Sequence, residues 1–211
     1  MILGFDTSGA YVGTALWRDG DVATALYADM AKGQAEHLMP MIEDTLANAQ
    51  VTLDDLRAIG VGIGPGNFTG IRISVSAARG LALALSIPAI GVSLLEALAH
   101  GAQGPTLTCL KAPRGAFYLK RQGGGLDRSA ALVAANDLHD WAAPGLTVIG
   151  QDSAVLAATL ALPNAPSAYA PASAIARLAA LRIGTPQPRP APLYIKAADA
   201  APSREQGPTI L

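Results

Sequence analysis

The chain has 211 residues, room for one large domain or two small ones. Hydrophobic residues make up 51% against 15% charged, which excludes a disordered chain, and with aromatics at only 5% the core must be largely aliphatic. A formal net charge of -1 excludes the global cationic field that draws in nucleic acid, so RNA binding by this chain alone is disfavoured, and Arg177, Arg182, Arg189 and Lys196 read as scattered solvated charges, with a local basic face as the alternative.

Met1 to Asp6 is apolar and β-prone, has no basic leader and meets an acidic residue almost at once, so it is expected to be a strand, not a signal peptide. Tyr11 to Arg18 is the second expected strand, and Asp19-Gly20 is a hairpin signal before a third, Asp21 to Tyr27. From Ala35 to Ala49 apolar residues recur at three- and four-residue spacing, which predicts an amphipathic helix, with Pro40 in its first turns. Val51 to Leu56 predicts a short helix capped by Thr52 or Asp54. Ala58 to Ile63 predicts a buried strand ended by Gly64-Pro65-Gly66, Thr69 to Ser86 a long, nearly all-apolar helix, and Ile87 to Val92 the next strand. The order β-β-β-α-β-α-β implies a mixed sheet with helices on its faces.

After about Ala102, glycines and prolines break the chain into shorter elements, so the expected division is an N-terminal lobe over 1–102 and a smaller C-terminal lobe over 103–211. Strands are expected near Thr106 to Leu110, Ala116 to Arg121 and Leu146 to Gly150, and helices near Asp137 to Ala142, Ser153 to Ala161 and Ala172 to Ile183. The proline-rich segment 184–192 is expected to be extended. The one cysteine, Cys109, sits in an apolar run; it can form no internal disulfide, builds no thiolate metal site alone, and points to a reducing compartment. The apolar stretch around Gly80 to Ser86 is expected to fall short of the roughly 20 residues that span a bilayer, so a cytoplasmic protein without a membrane segment is expected.

Two glycine-bearing turns could carry chemistry. Asp6, Thr7 and Ser8 end the first strand at a hairpin, an arrangement that can present backbone amides to phosphates and a carboxylate to a magnesium shell, and that equally serves as ordinary turn chemistry. Gly64, Gly66 and Gly70 lie between a strand and a long helix, where amides at a helix start can meet an anion. Neither a Walker loop nor a dinucleotide fingerprint is present. His37, His100 and His139 are too far apart for a helical metal pair, no nucleophile elbow or paired-carboxylate motif stands out, and no catalytic or metal residue is assigned.

The stretch Gly64-Pro-Gly-Asn-Phe-Thr-Gly-Ile-Arg-Ile-Ser74 resembles the glycine-rich signature of the TsaB (YeaZ) family. The opening Ile2-Leu-Gly-Phe-Asp-Thr-Ser8, the strand Ile90-Gly-Val-Ser-Leu94 and the late motif Pro192-Leu-Tyr-Ile-Lys196 are similar to that family's corresponding segments, while the middle of the chain matches in pattern only. The resemblance implies an actin-like ATPase (ASKHA, RNase H-like) fold of two lobes with mixed sheets and flanking helices. It implies a scaffold and activator that pairs with the catalytic paralogue TsaD, acts with TsaE in transferring threonylcarbamoyl to the tRNA adenosine 3′ of the anticodon, forms a homodimer when alone and meets tRNA through the complex. It implies no tightly bound cofactor, and places any ATP or ADP at the junction with TsaD. Two departures stand out: Gln34 occupies a position where family members carry His, and Lys111-Ala-Pro-Arg-Gly-Ala-Phe-Tyr118 lacks the family's Asp, Arg and Glu at the start of the second lobe.

The apolar circumference of the long helix is expected to be buried either by the chain's own sheet and helices or by a partner or dimer helix bundle using Leu38, Met41 and Ile42 of the first helix and Ile71, Arg72, Val75 and Arg79 of the long one, with the arginines at the rim. The rival readings are a self-sufficient nucleotide-dependent phosphotransferase of the same fold, resting on Asp6 and Gly64 to Gly70, and a peptidase, for which the ligand and nucleophile patterns are lacking.

Overall fold

A computed structural model describes residues 1–195, so Lys196, the last residue of the late motif, lies outside the described residues. The fold begins with β1 (Ile2–Asp6), β2 (Tyr11–Arg18) and β3 (Asp21–Asp29), all antiparallel. Asp19 and Gly20 both have positive φ, 52° and 99°, the two-residue turn whose twist matches the flanking strands. The chain continues through α1 (Gln34–Asn48), β4 (Ala58–Gly62), α2 (Phe68–Leu85) and β5 (Ala89–Val92), giving one mixed sheet in the order β3-β2-β1-β4-β5 with the last three parallel.

Between α1 and β4, Thr52 caps a 3₁₀ turn over Leu53–Asp55, where the Asp55 carboxylate accepts from the Thr52 N–H at 2.8 Å and its hydroxyl at 3.0 Å. Pro40 lies six residues past the start of α1, in its second turn; its exposed position leaves the unbonded carbonyl of Glu36 on the solvent side.

The central strands β1 and β4 are buried throughout because helices cover both faces of the sheet. α1 and α2 pack on one face through Leu38, Ile42, Leu46, Ile71, Val75 and Ala78. The other face is covered by α5 (Pro171–Arg182), which comes from the far end of the chain. Gly4 and Gly60 are register partners on β1 and β4, and a Cβ on either would come within 2.7 Å of Ala176 or 2.9 Å of Ala179. Glycine in the sheet and alanine on the helix thus set a close helix-to-sheet approach. The expected assignment of 103–211 to a separate lobe is corrected to this extent: α5 completes the first sheet's core.

The second sheet has the order β8-β7-β6-β9, built from β6 (Thr106–Lys111), β7 (Phe117–Gln122), β8 (Arg128–Val133) and β9 (Thr147–Gly150). Its core of Leu107, Cys109, Leu119, Leu146 and Val148 is closed by Leu156 and Leu160 of α4 (Ser153–Leu160) and by Trp141, at the end of a 3₁₀ stretch over Ala135–Trp141 where a helix was expected. A third cluster, with Leu94, Leu95 and Leu98 of α3 (Leu94–Ala99), Leu110 of β6 and Ile175 and Leu178 of α5, fastens the two sheets together.

Among the described residues α2 is the one helix whose length and composition would let it cross a membrane, which the sequence reading did not expect. Its stripe Ile71, Ser74, Val75, Ala78 and Ala82 is buried against the sheet and α1, and the Ser74 hydroxyl donates to the Gly62 carbonyl at 3.2 Å, so it packs as a core helix.

Candidate functional site

Asp6 ends β1 in the middle of the sheet, so its carboxylate is wholly buried. Its Oδ2 accepts from the Ser8 hydroxyl at 2.8 Å and from the Tyr11 hydroxyl, while Oδ1 has no hydrogen-bond partner. Burial raises the Asp6 pKa above the ordinary carboxylate range, against the lowering effect of the bonds from Tyr11 and Ser8, and it holds the Tyr11 hydroxyl well above its usual value.

The glycine-rich loop closes directly over this turn. Asn67 N–H donates to the Ser8 carbonyl at 2.7 Å, the Thr7 hydroxyl donates to the Gly70 carbonyl at 2.6 Å, and Asn67 caps α2 by accepting from Gly70 N–H at 2.8 Å. A Cβ on Gly66 would lie 2.3 Å from the Ser8 carbonyl oxygen, one on Gly70 2.0 Å from that of Thr7, and one on Gly62 2.0 Å from Asp6 Oδ1. These glycines therefore bring two turns of the chain into contact. Thr7 and Ser8 are buried beneath the loop, and the Ser8 carbonyl and Thr7 hydroxyl spend their hydrogen bonds within the chain. In this arrangement the Asp6 carboxylate faces two hydroxyls and a glycine, so it has no open side on which to hold a hydrated cation.

Gln34 belongs to this lock, a role sequence reasoning did not assign. Its side-chain amide donates to the carbonyl of Gly9 at 2.6 Å, with longer contacts to Tyr11 at 3.3 Å and Thr7 at 3.4 Å, which pins the β1–β2 turn from the start of α1.

Between the two sheets lies a cleft of about 750 Å³, lined by Tyr11, Asn67, Phe68, Lys111, Tyr118 and Gln151 among others. The segment Lys111 to Tyr118 does face this cleft, as the two-lobed arrangement implied. Lys111 pairs with Asp152 at 2.9 Å, so a cation bound to a carboxylate stands where a free acidic group was missing. Cys109 is a buried residue of β6, and burial pushes its thiol up to about 12, the behaviour of a core side chain. Among the described residues no three His, Cys, Asp or Glu side chains converge on a point that could hold a metal ion.

The expected interface residues divide in two. Leu38, Ile42, Ile71 and Val75 are core residues and are corrected: their apolar periodicity marks the face turned to the sheet. Arg72 is exposed, and Met41 and Arg79 are half-buried. The outer face of α2 instead presents Phe68, Arg72, Ser76, Gly80 and Leu83, with Phe68 54% and Leu83 80% exposed. A Cβ on Gly80 would meet nothing within 4 Å among the described residues. The acidic Glu36, Glu43 and Asp44 are exposed on the neighbouring α1.

The motifs from the two ends of the chain meet at the start of α2. Leu193 N–H donates to the Ile63 carbonyl at 2.8 Å, the Tyr194 ring stacks on Phe68 at 5.3 Å between centroids, and the Arg72 guanidinium lies 3.6 Å from the Phe68 ring centroid while donating to the Tyr194 hydroxyl at 2.9 Å.

A family model described as TsaD, tRNA N6-adenosine threonylcarbamoyltransferase, matches residues 28–175, more than half of the chain. The Escherichia coli tRNA threonylcarbamoyladenosine biosynthesis protein TsaB is 41% identical over 101 residues, 48% of this chain and 43% of that protein; the chain thus matches about half the length of this curated relative. An uncharacterized protein of Mycobacterium tuberculosis is 37% identical over 82% of this chain and 79% of its own length. The solved structure of YeaZ from Pseudomonas aeruginosa superposes with a TM-score of 0.74 at 26% identity, covering 92% of this chain and 99% of that one. Matching motifs that converge in space, an actin-like two-sheet fold and relatives reached by sequence and by structure alike lead to one assignment: the chain belongs to the TsaB (YeaZ) family.

Proposed function

We propose that this chain serves tRNA threonylcarbamoyladenosine biosynthesis as a non-catalytic subunit that docks a TsaD-type partner, and in its absence a second copy of itself, on the outer face of α1 and α2. The observation that carries the reading is Gly80. Glycine in a helix interior costs about 1 kcal/mol relative to alanine, and none of the described residues approaches it closely enough to require it. Together with Ser76 and the exposed Leu83 and Phe68 it makes a small-residue groove with apolar ends, suited to close approach by another helix. Arg72 and Arg79 on α2 beside Glu36, Glu43 and Asp44 on α1 form a face carrying both charges, which complements a two-fold copy of itself.

The sealed turn around Asp6 favours the division of labour. A nucleotide-dependent phosphotransferase needs a carboxylate open to a metal, and here the Asp6 carboxylate is wholly buried beneath the glycine loop and bonded by the Ser8 and Tyr11 hydroxyls. In this reading the chemistry resides in TsaD, any ATP or ADP sits at the junction of the two proteins, and TsaE and tRNA join through the complex.

The test is size-exclusion chromatography with light scattering on this chain mixed with the TsaD of the same organism, with and without ATP, followed by the tRNA modification reaction with TsaE. A stoichiometric complex whose modification activity depends on adding this chain is the expected result. Failure to form a complex, together with ATP hydrolysis by this chain alone, would replace the scaffold reading with the kinase-like one.

A further inference from the structure

A groove of about 640 Å³ lies between the C-terminal half of α2, the end of α5 and the segment 184–190, away from the cleft between the sheets. Its floor is aliphatic, with Leu83, Ile87, Ile90, Ile183 and Pro190 among its lining, and no aromatic ring among the described residues lines it. Arg79, Arg182 and Arg189 stand in its walls, and no carboxylate among the described residues lines it.

The three arginines are not equivalent. Arg182 is committed: it pairs with Glu96 and donates to the Gly91 carbonyl at 3.3 Å, which ties the end of α5 to β5. Arg79 and Arg189 form no ion pair or hydrogen bond among the described residues, and they approach the groove from different elements, one from α2 and one from the proline-rich segment. That segment is held in place at its end, since Pro190 is buried, with its Cβ 3.6 Å from where a Cβ on Gly91 would stand, and Leu193 N–H donates to the Ile63 carbonyl. The groove is thus a wall-and-floor site with two guanidiniums that are uncommitted among the described residues.

We infer that this groove docks an acidic, aliphatic-bearing peptide segment of a protein partner, with Leu, Ile or Val side chains on the floor and carboxylates on Arg79 and Arg189. The pairing follows from charge complementarity: guanidinium meets carboxylate in a fork-to-fork geometry, and the apolar floor takes the intervening side chains. A single-stranded RNA is the weaker fit, because base recognition relies on aromatic platforms and this groove has none. Arg79 and Leu83 belong both to this groove and to the helix face proposed above, whereas Arg189 lies off α1 and α2, so Arg189 is the residue that tells the two proposals apart.

The experiment is fluorescence anisotropy on the full chain with a labelled octapeptide pool alternating Asp or Glu with Leu, Ile or Val, beside the same pool with Asn and Gln in place of the acids and a labelled eight-nucleotide oligouridylate. The expected result is saturable binding of the acidic pool with an affinity in the range of about 10 to 100 μM, weakened at least about tenfold in Arg189→Glu and in Arg79→Ser, with little binding of the neutral pool. Both variants are read alongside their thermal melting, and Arg189→Glu is expected to melt with the wild type because Arg189 is exposed and makes no hydrogen bond or ion pair among the described residues. Absence of saturable binding up to about 1 mM, equal binding of the neutral pool, or preference for the oligouridylate would each overturn the inference. Light scattering of Arg189→Glu with TsaD separates the two proposals: the helix-face complex persists in this variant whether or not the peptide binds.

Discussion

Replacing Gly80 with alanine separates what the fold needs from what a partner needs. Gly80 sits in the interior of α2 with open space where a side chain would go, so the substitution removes a helix penalty of about 1 kcal/mol and introduces no clash. For a chain of this size that corresponds to a rise in Tm of roughly 2–4 °C. Calorimetry at a dilution where the chain is monomeric reads this gain, and light scattering at higher concentration reads association. The expected pair of results is a more stable monomer that associates about tenfold less well with itself and with TsaD, because the added methyl holds a partner helix away. A lower Tm would refute the packing argument, since it would mean the space at position 80 is filled. A higher Tm with unchanged association would refute the docking argument. Gly62→Ala supplies the contrast: its Cβ would fall 2.0 Å from Asp6 Oδ1 inside the core, and a loss of about 3 kcal/mol or more is expected.

Other outcomes follow from the same geometry. Asp6 has a raised pKa from burial, so its contribution to stability is fully present below the unfolded carboxylate pKa of about 3.9 and is lost as pH rises through the folded value; relative to wild type, Asp6→Asn should gain stability from pH 4 to pH 8 in thermal melts, and the opposite trend would contradict the assignment. Gln34→Ala strands the Gly9 carbonyl and should cost about 1–3 kcal/mol in urea unfolding, with Gln34→His recovering part of the loss by restoring one donor; an unchanged midpoint in the alanine variant would remove Gln34 from the lock. Ile71→Ala should cost about 2–5 kcal/mol as a buried truncation, whereas Leu83→Ser should leave stability within about 0.5 kcal/mol and weaken partner binding. Equal destabilisation by the two would mean that Leu83 is not on an outer face.

The first sheet was legible because its signals are local. Asp19-Gly20 specifies a two-residue turn, and the three- and four-residue spacing of Leu38, Ile42, Thr45 and Leu46 marks the buried face of α1. The same spacing misled the choice of interface: periodicity says which side of a helix is apolar, and in α1 and α2 that side is turned to the chain's own sheet. The outer face, with Ser76 and Gly80, carries too weak an apolar pattern to stand out. β8 and α3 escaped notice for other reasons. Arg128-Ser-Ala-Ala-Leu-Val133 is an edge strand with few β-branched residues, and Leu94 to Ala99 is too short to show a helical period. Gln34 was noticed only as a departure from the family, because its three carbonyl contacts lie on a turn more than twenty residues earlier, which spacing along the chain does not reveal. The closed state of the Asp6 turn was hidden for the same reason: it depends on how closely Gly66 and Gly70 approach Ser8 and Thr7 across the fold.

The glycine-to-alanine contact between the first sheet and α5 bears on the order in which the protein can be made. During synthesis β1, β2 and β4 emerge early, yet the face of Gly4 and Gly60 stays uncovered until residues 171–182 have left the ribosome. A nascent chain halted near residue 102 carries the helices α1 and α2 on one side and bare apolar strands on the other, and would depend on a chaperone to avoid association through them. The sheet that comes first in the chain is therefore among the last parts to be completed, and cutting the protein at the apparent boundary between its lobes should yield an N-terminal half that does not stay soluble.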